Sequence, residues 1–499
     1  MQPVYQTALR SWSIPPVASF ALLLTALIYL RGWANLRRAG SADIPPWRAI
    51  TFLVGLFTLW VALASPFDTF SGFLVTAHML QHMLLMMVSP PLILLGEPLI
   101  PIVRGLPRFA AREFAGPFLN WRVANRIGLA LTHPVFALVL MGLAMFAWHT
   151  PKLYELALGS SAWHEVEHAC FFISSLIFWW PVVQPWPSRE RWPRWAMVPY
   201  LLIGDLQNTV LSAILVFSDR VLYPSYTVVP RLFGLSAQDD QAAAGAIMWV
   251  VGSLAYVIPA VMIAIQCLSI RRAPQFSMPH KRRRTALEAS SGSQPSLSRF
   301  AAFLRAQGQS RTAEMISFVV AFLVIGLCLS FLVATSSDDD NQVVRQRQQS
   351  GAFDVTVFAA PGDLPMGASN FSILAQDRST GEVLLDTSIE LSAQPSHDGH
   401  TAQGVSVASS EDSENKLLQA AEVNFPTEGD WLLNVHLQRK SESADVSLPV
   451  RAVPRESDVA DLWPYSLWPA LGAILFGIYM WRHREARRVS PLKQHVSSP

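Results

Sequence analysis

Seven apolar stretches of roughly transmembrane length fill the first half of this chain. They cover 14–30, 50–64, 76–95, 132–148, 164–183, 197–217 and 242–268, with ends placed to within a few residues. In hydrocarbon every backbone N–H and C=O must find a partner within its own segment, so such stretches fold as packed helices. The second has the shortest apolar run, with Trp47 and Trp60 placed to anchor its two ends at the interfaces. Composition agrees, at 51% hydrophobic and only 15% charged residues, and 499 residues leave room for a soluble domain as well. The net charge of +2 gives no reason to expect nucleic acid as a partner.

Lysine and arginine set the orientation. They crowd 31–49 (Arg31, Arg37, Arg38, Arg48), 96–131 (Arg104, Arg108, Arg112, Arg122, Arg126) and 184–196 (Arg189, Arg191, Arg194), then recur as KRRR at 281–284. By contrast 65–75 has none, 149–163 only Lys152, and 218–241 only Arg220 and Arg231. The alternation predicts an outer amino terminus and an inner end to the block of seven. The first stretch carries its charges after its apolar run, so it reads as a retained span and not a cleaved signal.

Two further apolar stretches, 316–333 and 464–481, bracket a segment of different character. Between about 351 and 453, FDVTVFA, NFSILAQD, AAEVNF, WLLNVHLQ and ADVSLPV alternate apolar and polar residues with period two, broken by turn residues. This predicts a small antiparallel sandwich, with 397–415 as a long loop. The expected organisation is a seven-span helical membrane bundle (1–270), a basic cytoplasmic linker (271–313), a transmembrane helix (314–335), and an extracytoplasmic all-β sandwich (336–463). A transmembrane helix (464–482) and a cytoplasmic tail (483–499) complete it.

Five histidines fall at one expected membrane level: His78 and His82 in AHMLQHMLLMM, His149 in AWHTP, and His164 and His168 in WHEVEHACFF. Ionisable groups at membrane depth are costly and usually face the bundle interior for a functional reason. His78, His82 and Met86 are spaced i, i+4, i+8 and so form one helical stripe. Imidazole suits copper and thioether favours Cu(I), which makes these six the candidate metal ligands. A single interfacial histidine reads as an anchor; two i, i+4 pairs at one level read as ligands. Methionine reads first as core filler, Met86 included.

His133, at the inner end of its span, reads as structural, and Glu165 and Glu167 as solvated carboxylates or an imidazole-orienting partner. Asp205, mid-span, is either functional or bonded to a facing helix. Asp239, Asp240 and Gln241 open the seventh span, where acidic residues favour the helix dipole in any case. Cys170, Cys267 and Cys328 form no CxxC motif, which argues against thiolate copper chaperoning and against thiol redox chemistry. In the sandwich Met366, His397, His400 and His436 are the soft or imidazole donors.

AHMLQHMLLMMVSPPLILLGEPL, AWHTPKLYELAL, WHEVEHACFFISSLIFWWPV and DDQAAAGAIMWV, in that order, resemble the signature blocks of the seven-span CtaG-type cytochrome c oxidase assembly factors. The resemblance covers roughly 15–268 and marks His78, His82, His149, Pro151, Tyr154, His164, His168, Asp240, Gln241, Gly245 and Trp249. It implies a bacterial inner-membrane protein, not an enzyme, that assembles or delivers copper to a haem–copper oxidase subunit. TEGDWLLNVHL in the tail is similar to extracytoplasmic domains of the FixH and YtkA-like type. The expected partners are membrane lipid and that oxidase subunit. The expected cargo is copper as Cu(I), with haem as an alternative because histidines on facing helices also ligate haem iron. A copper permease using Asp205 and a metal-free scaffold stand as further alternatives.

Overall fold

The computed structural model describes residues 2–39, 45–111, 122–185, 192–272, 342–360, 363–396 and 403–454. The apolar stretches form helices α1 (Pro16–Arg38), α2 (Pro46–Ala64), α3 (Val75–Leu95), α4 (Pro134–Trp148), α5 (Pro151–Leu158), α6 (Ser161–Val183), α7 (Met197–Phe217) and α8 (Ala237–Arg272). Among the described residues six helices are long and apolar enough to cross a membrane, and the bent pair α4–α5 makes a seventh. The later stretches 316–333 and 464–481, the linker from 273 onward, and His397 and His400 lie outside the described residues.

Proline begins many of these helices, because its missing N–H is one the first turn cannot use and its φ is already helical. Pro16, Pro46, Pro134 and Pro151 all occupy first-turn positions. Pro151 also forces Thr150 into extended backbone, ψ 138°, and the chain turns by 71° between α4 and α5. His149 is the last residue before that corner.

Exposure confirms the bundle as a membrane body. Leu206, Val210, Ile214 and Phe217 on α7, with Val250, Leu254, Ile258 and Val261 on α8, are exposed at helical spacing. Meanwhile Gln81, Ser174, Ser175, Asn208 and Ser212 are buried. A soluble bundle would hide the first set and wet the second; in lipid the arrangement is the stable one.

Asp205 is bonded within the bundle. Ser253 Oγ on α8 donates to its Oδ1 at 2.7 Å, and Asn208 Nδ2, one turn away, donates to the Met248 carbonyl at 3.0 Å. Both bonds tie α7 to α8. Gly55 lets α2 and α3 meet closely, since a Cβ there would come within 2.8 Å of the Ile93 backbone nitrogen.

The β-domain is a two-sheet sandwich. Its strands are β1 (Val343–Ser350), β2 (Phe353–Ala359), β3 (Leu364–Pro365), β4 (Gly367–Asp377), β5 (Ser388–Pro395), β6 (Gln403–Val407), β7 (Gln419–Phe425), β8 (Gly429–Arg439) and β9 (Glu442–Val453). One sheet runs β1-β2-β4-β7 and the other β3-β9-β8-β5-β6, antiparallel except for the short β3–β9 pair. Phe353, Phe371, Phe425 and Trp431 fill the space between them, fully buried. One expectation fails here: the stretch 397–415 is not all loop, because β6 lies in it and pairs with β5. As an edge strand it leaves Val405 and Val407 exposed, so its alternation carries no burial signal.

The sandwich sits on one end of the bundle. Phe358 and Leu374, on the outer face of the first sheet, join Val4 and Ala8 of the N-terminal helix Gln2–Ala8, Phe70 and Ala77 near the start of α3, and Leu232 of the α7–α8 loop in one apolar cluster. Gln376 Nε2 donates to the Arg231 carbonyl at 3.1 Å, and the Lys416 N–H to Ser11 Oγ at 2.9 Å. The loops poor in lysine and arginine gather at this end.

Candidate metal centre

The site sits inside the bundle just beneath the sandwich, where α3 and α6 meet. Their contact is fixed by an interruption of α3. Pro90 has no N–H to offer the Met86 carbonyl one turn back, and Leu84–Val88 widens into a π-turn just before it. The freed Met86 carbonyl accepts from Ser175 Oγ and from Trp179 Nε1, the latter at 3.0 Å. A proline dipeptide on one helix is thus answered by two donors on the other. The Met86 side chain is buried in the bundle core with Met79, Met83 and Met87.

Asp240 fixes the other end of α3. That helix begins without proline, and the Asp240 carboxylate accepts from the N–H groups of Val75 at 2.7 Å and Thr76 at 3.1 Å. The sequence placed this acid on the dipole of its own helix; the fold uses it as the cap of α3. Gln241 pins the preceding loop, with Oε1 accepting from Leu222 N–H at 2.7 Å and Nε2 donating to the Leu215 and Arg220 carbonyls.

Between these two fixtures the five histidines form one ring-to-ring network. Centroids lie 4.3 Å apart for His78 and His82, 5.3 Å for His78 and His164, and 4.1 Å for His164 and His168. His82 is 5.6 Å from His168 and 6.2 Å from His149. His78, His82, His149 and His168 are buried. His149 Nδ1 lies 2.7 Å from the Met145 carbonyl. A carbonyl only accepts, so Nδ1 carries the proton and Nε2 presents its lone pair to the cluster.

Glu167 joins them, which excludes the solvated reading and agrees with that of an imidazole partner. It is fully buried, with Oε2 3.5 Å from His78 Nε2 and 3.9 Å from His82 Nε2. Among the described residues His78, His82 and Glu167 are the group whose donor atoms all lie within 4.8 Å of one another. Spacing alone does not single out Glu167, because it is i+3 from His164 just as Glu165 is i−3 from His168; the fold buries Glu167 among the histidines and leaves Glu165 lining a cavity outside them.

Tyrosines close the site. Tyr154 lies 4.9 Å from the His78 ring and stacks on Tyr223 at 3.8 Å. The Tyr226 hydroxyl donates to the Ser71 carbonyl at 2.6 Å, which leaves the Tyr154 hydroxyl, 3.1 Å away, to donate to it in turn. Tyr223 donates to the His149 carbonyl at 3.2 Å. Burial pushes the hydroxyls of Tyr223 and Tyr226, both in the α7–α8 loop, well above their ordinary range, so they stay protonated donors. The sequence marked Tyr154 only through the family resemblance, and did not mark Tyr223 or Tyr226.

His133, read as structural, and the candidates Asp205 and His436 all fall elsewhere. His133 is exposed and meets Trp192 edge-on at 5.0 Å. Asp205 belongs to the α7–α8 contact described above. His436 lies on β8, paired with Asp445 through Nδ1 at 2.7 Å.

Residues 27–269 match the family model of the cytochrome c oxidase caa3 assembly factor. The match covers the helical bundle from within α1 to near the end of α8, a little under half of the chain. An uncharacterized protein of Mycobacterium leprae is 25% identical over 259 residues, 51% of this chain and 39% of that protein. One from Mycobacterium bovis is 25% identical over 273 residues, covering 53% and 40%. The chain thus spans about two-fifths of the length of these curated relatives. No solved structure matches. The sandwich lies beyond the matched span, so the match does not bear on the expected resemblance to FixH and YtkA-like domains.

Proposed function

We propose that this membrane protein is a cytochrome c oxidase assembly factor that holds copper in the five-histidine cluster and passes it to a haem–copper oxidase subunit. It acts as a carrier, not as a catalyst, in the bacterial inner membrane, with the histidine end and the sandwich on the outer side. The lysine and arginine alternation supports that orientation.

One observation carries the reading. Both ring nitrogens of His78, His82 and His168, Nε2 of His149 and His164, and both carboxylate oxygens of Glu167 are buried without a hydrogen-bond partner. Buried polar groups are nearly always satisfied, and a cluster of orphans in one place calls for a bound ion. Imidazoles suit copper, and the single carboxylate balances one positive charge in an apolar surrounding where an unpaired ion is costly. This donor set fits Cu(I) as cargo. Donors converging from α3 and α6 on one small volume favour an ion over haem, whose plane would have to separate them. The Ser253 bond of Asp205 accounts for that residue without a permeation path.

Copper analysis of the purified full-length protein tests the reading. The unsubstituted chain and His133→Ala are expected to retain copper. His82→Ala is expected to lose at least nine-tenths of it and to lower mature oxidase activity in cells while still inserting. Full copper occupancy and oxidase activity in His82→Ala would overturn it.

A further inference from the structure

A cavity of about 270 Å³ lies between the sandwich and the histidine end of the bundle. Its floor includes Asp68 and Gly72 from the link between α2 and α3, and His164 and Glu165 from the first turn of α6. Its roof includes Phe358 and Asn415 of the sandwich. Since a water molecule takes up about 30 Å³ of liquid, the space holds several waters or a hydrated ion.

His164 stands apart from the other four histidines. It is half-buried where they are buried, and it borders this cavity. On its other side its ring contacts His168 at 4.1 Å and His78 at 5.3 Å. Its Nε2 is buried and has no hydrogen-bond partner. The side chain therefore touches both the cavity and the enclosed donors.

We infer that this cavity is the route by which the cation reaches and leaves the buried cluster, with His164 as the transfer ligand and the sandwich as its roof. The inference rests on the copper reading above. Carboxylates on the floor, Asp68 and Glu165, attract a cation toward His164, and ligand exchange along His164 to His78 and His168 moves it inward without an uncoordinated step. The sandwich governs access because it is held over the opening by the Phe358 and Leu374 contacts and by the Gln376 and Lys416 hydrogen bonds.

Gly72 provides the test. Gly72 lines the cavity and a Cβ built there meets nothing within 4 Å, so a side chain at its wall is accommodated without displacing its surroundings. In full-length Gly72→Cys protein, the thiol is alkylated after folding with a bulky maleimide, and alkylation is verified by mass. The unsubstituted chain treated in the same way controls for Cys170, Cys267 and Cys328. Copper(I) buffered by bicinchoninate is the probe, and both the loading rate and the final occupancy are read. Alkylation of Gly72→Cys is expected to slow loading at least tenfold while leaving final occupancy unchanged. His164→Ala is expected to slow loading as well, while His82→Ala abolishes occupancy. Equal loading rates before and after alkylation would overturn the route and leave the copper site standing. Failure of the unsubstituted chain to take up any copper would overturn the copper reading itself.

Discussion

Asp240 accepts a hydrogen bond from the Val75 N–H at 2.7 Å across 165 positions of sequence. The acid opens the last helix of the bundle, yet it caps the helix that carries His78 and His82. Its carboxylate also accepts from Thr76 N–H, and Thr76 Oγ1 donates to its backbone carbonyl at 3.2 Å. The first turn of α3 is thereby fixed relative to α8, and His78 follows three residues later.

Asp240→Ala removes this cap. The expected loss is about 1–2 kcal/mol, since two N–H donors lose a buried acceptor. Thermal unfolding in detergent would show a lower midpoint, and copper would be held more weakly although no proposed ligand had changed. An unaltered midpoint would mean that the first turn of α3 is held by other contacts.

The Met86 carbonyl makes a second test. Ser175→Ala leaves Trp179 as a donor and should have a small effect. Adding Trp179→Phe leaves a buried carbonyl unsatisfied, at about 1–3 kcal/mol. The two losses should therefore be strongly non-additive in unfolding measurements. Simple additivity would show that the two donors act independently.

Glu167→Gln separates a ligand from a packing residue. The amide keeps the shape and removes the buried charge, which stability alone should tolerate or favour. Copper affinity is expected to fall at least tenfold, because the charge that balances Cu(I) is gone. Equal affinity in competition with bicinchoninate would remove Glu167 from the site.

The sandwich should fold without the bundle, since its core and ladders are its own. A fragment of residues 342–454 is expected to give a β-rich far-ultraviolet spectrum and a cooperative melt. Its acid limb should depend on Asp377. The Ser379 hydroxyl at 2.6 Å, then the N–H groups of Thr380 and Ser379, hold that carboxyl down at about 2. A depressed carboxyl stabilises the fold above its ordinary range and loses that contribution as pH falls through its folded value. Asp377→Ala should melt earlier at pH 6, and the gap should close between about pH 4 and 2. A gap constant with pH would assign the effect to the turn backbone.

Much of this architecture was legible in the chain because lipid reads average properties. A run of apolar residues must become a helix in hydrocarbon whatever its neighbours do, so the spans and the histidine level followed from local pattern. Strand alternation likewise announced β2, β4, β7, β8 and β9. Where the pattern broke, the cause lay in a surface the chain had not yet met. Phe358 and Leu374 violate the alternation of β2 and β4 because that sheet face packs on the bundle instead of water. The edge strand β6, which buries little, left no pattern to read.

Local sequence determined which residues could be ligands, because i, i+4 spacing puts His78 beside His82 and His164 beside His168 on any helix. It could not determine that the two pairs and His149 face one another, nor that Glu167 lies among them while Glu165 lines the cavity outside. Those placements depend on the rotation and depth of α3 against α6. They are set by a carbonyl that Pro90 leaves unpaired, two donors on the facing helix, and a carboxylate 165 positions away. Pairings between distant groups leave no mark on either segment alone, and only the folded chain brings the partners within reach.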